Sequence, residues 1–187
     1  MNAPDSGDLS ANSITAECFL EQVDDQRLND TYRYWDGLRG KRFAPSYAQI
    51  DPVNIPKLLR YLLVTEIERT ARGRRYRYRL CGTEVEEHFG IAMRGQYIDT
   101  MMQGSYRAYI ESLYNRLVDQ RSPIYSVSTY DQRLLHTKRL MLPLSSDGQQ
   151  VDMVLSAQVF IRSAGPPNTV LSVQADFEPQ IERLGGE

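Results

Sequence analysis

The chain has 187 residues, with 22 lysines and arginines against 24 aspartates and glutamates; a net charge of -2 at neutral pH gives no overall field to draw it to nucleic acid or an anionic membrane. That length suits one domain with flanks, able to bury most of its apolar surface in one core. Cys18 and Cys81 are too few for a disulfide-stapled secreted fold, no run approaches the ~18 apolar residues of a membrane span, and the N-terminus lacks the basic-then-apolar order of a secretory signal, so the expectation is a soluble, cytoplasmic protein.

Residues 1–13, rich in Ser, Asn, Asp, Gly and Pro, predict a disordered leader. Leu28, Tyr32, Trp35 and Leu38 then recur at steps of four, three and three, the apolar stripe of a helix that stops at Gly40. Ile14, Phe19, Leu20 and Val23 continue that pattern upstream, which sets an N-terminal helix at 14–40. Such a helix either covers a sheet or zips against a copy of itself, and the stripe fits both. Pro45 lies in an extended linker. Asp51-Pro52 opens a short helical turn, with the carboxylate as cap and proline at the first position, and Pro56 ends it.

Leu62, Leu63, Val64 and Ile67 read as a strand, with Thr70-Ala71-Arg72-Gly73 as its turn. In the strand that follows, Tyr76, Tyr78 and Leu80 alternate with Arg75, Arg77 and Arg79, a period of two with one buried face. Cys81-Gly82 ends the alternation. Thr83 and Glu86 have the spacing of a capping box, which starts a helix at Glu84; Val85 and Phe89 form its one apolar pair and Gly90 its left-handed stop. A loop through Gly95, Ile98 and Asp99 leads to the longest helix, from Gly104 or Ser105, with Tyr106, Ile110, Leu113 and Leu117 on one stripe and Ser122-Pro123 as its end. Three strands follow at 124–130, 134–142 and 151–161, joined by Asp131-Gln132 and by Ser145-Ser146-Asp147-Gly148. Met153, Leu155, Ala157, Val159 and Ile161 share a core face in the last of them, and 170–177 offers a tail strand.

These elements predict an α+β fold, a five-stranded antiparallel sheet with helices packed on one face, plus the N-terminal helix. The leader then spans 1–13, the helix 14–40, the domain 41–165 and a C-terminal tail 166–187. The stretches WDGLRGKRFAPSYAQIDPVNIPKLL, YRYRLCGTEVEEHFG, MRG and LPLSSDGQQVDMVL resemble the motifs of a bacterial PAS-like family of short cytoplasmic proteins, common in alphaproteobacteria. Trp35, Arg79, Gly82, Thr83, Phe89, Gly90 and Gly95 are among the matching positions. Several of these are turn and cap residues, so the resemblance implies a fold and a sensory or protein-interaction module more than a particular ligand.

In a PAS fold, Tyr78, Tyr97, Tyr109 and Tyr125 would lie on segments around the cavity between sheet and helices, where a hydroxyl can orient a ligand against an apolar wall; core packing is the alternative for each. His88, His136 and Met153 join them as candidate lining residues, and Met93, Met101, Met102 and Met141 suit an adaptable pocket or a gap-filling core. By analogy with PAS domains that ligate haem through a histidine, His88 is a candidate axial ligand, but a locally hydrogen-bonded histidine is the favoured reading. Cys81 and His88 do not match structural zinc spacing, and Cys81 stands at a strand end instead of in an asparagine-cysteine helix turn. Neither metal, haem nor flavin is therefore expected, and any cofactor is unknown.

The arginines around Tyr76 and Tyr78 alternate with them instead of lying beside them, so they cannot hold the phosphate of a base stacked there; Glu84, Glu86 and Glu87 offer to balance their charge. No nucleophile with a base is visible, nor a carboxylate pair. The expectation is a non-enzymatic PAS-type module that binds a small molecule, a signalling partner or both, as a homodimer through its N-terminal helix, with no nucleic-acid or membrane partner. The alternatives are a purely structural interaction domain with a filled core, and a small α+β enzyme.

Overall fold

A computed structural model describes residues 20–130 and 135–162, without the side chains of 129, 130, 135, 136 and 162. The expected leader, the Asp131-Gln132 turn and the tail strand lie outside the described residues. In chain order the elements are α1 (Gln26–Arg39), three single 3-10 turns (Tyr47–Gln49, Pro52–Asn54, Leu59–Tyr61), β1 (Leu62–Thr70), β2 (Gly73–Cys81), α2 (Thr83–Phe89), α3 (Ile98–Met101), α4 (Gly104–Gln120), β3 (Ile124–Tyr130), β4 (Leu135–Leu144) and β5 (Met153–Arg162). The strands form one antiparallel sheet in the order β2-β1-β5-β4-β3. The crossover between β2 and β3 carries α2, α3 and α4, and β5 returns to the middle to join the two hairpins. This is the expected α+β architecture.

Both faces of the sheet are covered. On one side Leu63, Tyr76, Tyr78, Met141 and Val154 meet Val85, Ile98 and the stripe of α4, Tyr106, Tyr109, Leu113 and Leu117. On the other, Leu62, Val64, Leu140, Leu142, Leu155 and Ala157 meet Leu28, Tyr32 and Trp35 of α1. The apolar stripe of the N-terminal helix is thus used against its own sheet, and the Trp35 indole N–H donates to the Pro143 carbonyl at 2.7 Å. Pro143 lies beyond the β3 ladder, which stops at Ile124–Met141, where a missing N–H is tolerated. α1 begins at Gln26 because the Asp25 carboxylate accepts from the Arg27 N–H, a side-chain cap that separates it from the turn at Leu20.

Three local expectations need correction. Leu80 does not share a face with Tyr76 and Tyr78: the register slips between Val64 and Thr65, so that Thr65 opposes Tyr78 while Val64 opposes Leu80, and the bulge at Arg79 turns Leu80 to the α1 side. The capping box of Thr83 and Glu86 is absent. Gly82 is the cap residue of α2, and the Glu86 carboxylate accepts the Met93 N–H at 3.0 Å instead. A Cβ on Gly82 would lie 2.5 Å from the Leu59 carbonyl oxygen, so glycine is required there by the close approach of the Leu59–Tyr61 turn. Gly90 is left-handed at φ 66°, as the sequence predicts.

The arginines of β2 find carboxylates other than those of α2. Arg74 pairs with Asp119 at 2.7 Å, Arg75 with Asp99 at 2.7 Å, and Arg77 and Arg79 both with Glu66, the latter at 2.5 Å. Arg79 also lies over the Tyr47 ring. Cross-strand pairing supplies Glu66, the crossover helices α3 and α4 supply Asp99 and Asp119, and Glu84 is drawn to Arg60.

Candidate functional site

On the helix-covered face of the sheet β3, β4 and β5 carry a run of buried polar residues among the apolar ones. Ser126 of β3 stands opposite Arg139 of β4, which stands opposite Gln158 of β5. Directly opposed side chains of an antiparallel ladder are about 5 Å apart, so the three form one cross-strand row. The next row is Ser128, Thr137 and Phe160, and the row on the other side is Ile124, Met141 and Ser156. Alternation sends Tyr125, Lys138, Leu140 and Ala157 to the α1 side and leaves this strip facing the helices.

The strip is not solvated. Arg139 is 2% exposed, Ser126 2%, Gln158 6%, and Ser128, Thr137 and Ser156 1% or less. A guanidinium taken from water is costly without hydrogen-bonded compensation, and each unmade bond of a buried hydroxyl or amide costs roughly 1–3 kcal/mol. Ser126 Oγ, Ser128 Oγ and Gln158 Oε1 have no hydrogen-bond partner among the described residues. The wall opposite is aromatic. The Tyr114 hydroxyl meets Thr65 Oγ1 at 2.8 Å. Burial pushes the phenols of Tyr78 and Tyr114 up, and the positive charge of Arg139 opposes that in both. At the margin the His88 ring stacks on Phe160 with centroids 3.6 Å apart, and Phe89 meets both edge-on.

The sequence-derived candidates are divided by the fold. Tyr78 and Tyr109 lie in the helix-side core, with His88 on its margin. Tyr97 is at the sheet edge, bridged to Arg77, its hydroxyl 2.9 Å from the Glu68 carboxylate and its ring 3.9 Å below Arg75. Tyr125 and Met153 face α1; the Tyr125 hydroxyl donates to Asp24 at 3.0 Å. His136 falls on β4 opposite Ile161, and its side chain lies outside the described residues. Of the methionines, Met93, Met102 and Met141 are buried on the helix side. Burial, then the charge of Glu86, pushes the Cys81 thiol up to about 12, so it is no ready nucleophile. Among the described residues no three His, Cys, Asp or Glu side chains converge as metal ligands.

Arg139, Ser126, Ser128 and Gln158 were missed because polar residues alternating with apolar ones read as a wet face. The signal that reveals them is the stripe of α1: a helix that needs a sheet face implies a sheet buried on both sides, and then the polar half of each strand is interior as well.

The strand order, with helices on both faces of the sheet, defines a compact α+β module. A family model described as a PAS domain matches residues 23–158, from the start of the α1 segment into β5, and the chain belongs to the PAS domain family. PAS domains are generally non-enzymatic sensory or interaction modules. No curated protein matches the chain. No helix of the described residues is long and apolar enough to cross a membrane.

Proposed function

We propose that this is a non-enzymatic sensory module of the bacterial cytoplasm that receives a small molecule against the helix-covered face of its sheet and passes its occupancy to a signalling partner. The observation that carries the reading is the polar strip of Ser126, Arg139 and Gln158 inside an otherwise apolar core. A core filled only for stability gains little from a buried guanidinium, since apolar replacements of similar volume are often neutral or stabilising. A ligand that completes the hydrogen bonding of such a strip is bound by groups whose desolvation is already met in folding.

Association with a second copy belongs to the same proposal. Leu28, Tyr32 and Trp35 are committed to the sheet, so α1 contributes to a pair through its outward face. Native mass spectrometry of freshly purified protein, beside its denatured mass and visible spectrum, tests the ligand. Extra mass lost on denaturation is expected; a bare, colourless mass with no response to added small molecules would leave a purely structural interaction domain. A ligand present at ~100 times its dissociation constant should stabilise the fold by about 2.7 kcal/mol.

A further inference from the structure

Independently of any ligand, we infer that residues 170–177 lie antiparallel along the outer edge of β3 and close the sheet there as one further strand. Among the described residues β3 is the last strand, paired with β4 alone, so the N–H and C=O of every second residue point away from the ladder. Ile124, Tyr125 and Ser126 are consecutive and 6%, 4% and 2% exposed, so whichever alternate set points outward includes a residue withheld from water. Buried backbone groups need partners, and a neighbouring strand supplies them. The sequence of β3, IYSVSTY, carries no charge and no proline, and its register with β4 is unbroken, so it has none of the devices that blunt a free edge.

The chain leaves β5 where it can reach that edge. Arg162 opposes Leu135 and Leu135 opposes Tyr130, so β5 ends at the end of the sheet where β3 also ends. From there the outer edge is three strand spacings away, about 14 Å, while residues 163–169 can span about 23 Å. A strand that turns back from this end runs antiparallel to β3. After Val170 the segment alternates between a polar set, Ser172, Gln174 and Asp176, and an apolar set, Leu171, Val173, Ala175 and Phe177. A pairing that opposes Val173 to Val127 continues both faces of the sheet. Leu171, Val173 and Ala175 then join Tyr125 and Val127 on the α1 side, while Gln174 and Ser172 meet Ser126 and Ser128, whose hydroxyls lack partners among the described residues. A slip of one residue would exchange the two sets, so the alternation selects this parity. Seated there, the tail keeps an uncharged edge from pairing with a second copy.

The test uses the full chain. Val127→Cys with Val173→Cys should form a disulfide within one chain under mild oxidation, read as a linked peptide and a monomer on a non-reducing gel, since directly opposed residues have the Cα spacing the bond needs. Val127→Cys with Ser172→Cys sets the thiols on opposite faces and should link at least about tenfold less. Val173→Pro together with Gln174→Pro removes a ladder N–H whichever way the pair alternates; amide exchange of β3 should quicken at least about tenfold, and that of β5, paired on both sides, should not change. Equal exchange of β3 in the natural chain and the double proline variant, or equal linkage of the two cysteine pairs, overturns the proposal. A disulfide found only between chains gives the edge to a second copy and overturns it as well.

Discussion

Three residues show how single positions set this structure. Gly82 has φ −75°, open to any residue, so its requirement is steric: the carbonyls of Leu59 and Arg60 occupy the space of a Cβ. Gly82→Ala should cost about 1–3 kcal/mol or more in chemical denaturation, as forced overpacking against backbone does. Gly90→Ala, where φ is 66° and the space is open, should cost about 1–2 kcal/mol through backbone strain alone. Asp24 gives a pH signature. Its hydrogen bond from Lys138 at 2.6 Å, and then that from Tyr125, hold its carboxyl below the usual range against the effect of burial. A depressed folded-state value stabilises above the ordinary carboxylate value of about 3.9 and loses that contribution as pH falls through the lower folded one. Asp24→Asn should therefore be less stable than the natural chain at neutral pH, with the gap closing as the pH is taken below about 4; a constant gap would show that the carboxylate charge does not matter.

At the scale of elements, the anchor between α1 and the sheet is the Trp35–Pro143 hydrogen bond, buried on both sides. Trp35→Phe keeps most of the ring and leaves the Pro143 carbonyl unmet, so thermal unfolding should show a loss of about 1–3 kcal/mol. Most elements could be read from the sequence because they rest on local rules. The Asp51-Pro52 turn, the α4 stripe and the Gly90 stop depend on residues a few positions apart, and each is found where its pattern sets it. The Thr83 capping box failed because a tertiary contact, Gly82 against the Leu59–Tyr61 turn, fixed the cap one residue earlier and released Glu86 to Met93. The Leu80 alternation failed because a bulge is a property of two strands and leaves no mark in one. Tyr78 and Tyr109, chosen by residue type, lie in the helix-side core. Arg139 was not chosen, since its burial follows from elements far away in sequence.

For the whole molecule, the decisive feature is a sheet buried on both faces. Removing residues 1–40 deletes α1 and uncovers Leu62, Val64, Leu140, Leu142 and Leu155 together. At ~1.5–3 kcal/mol for each such side chain, the loss is comparable with the whole stability of a domain. The shortened chain should aggregate or lose its near-ultraviolet circular dichroism, whereas light scattering showing a well-folded monomer would mean that α1 is dispensable.

Lys138, Arg139 and Leu140 are consecutive on one strand, yet the first reaches Asp24, the second lies in the strip and the third packs under α1. The sheet is therefore a partition a single side-chain pair thick, with a different compartment pressed on each surface. Whatever tilts β4 from within is felt at the seat of the helix outside, and reciprocity makes the converse equally true. A protein that grips or lifts the N-terminal helix would be felt on the strip side of the sheet, without coming near it.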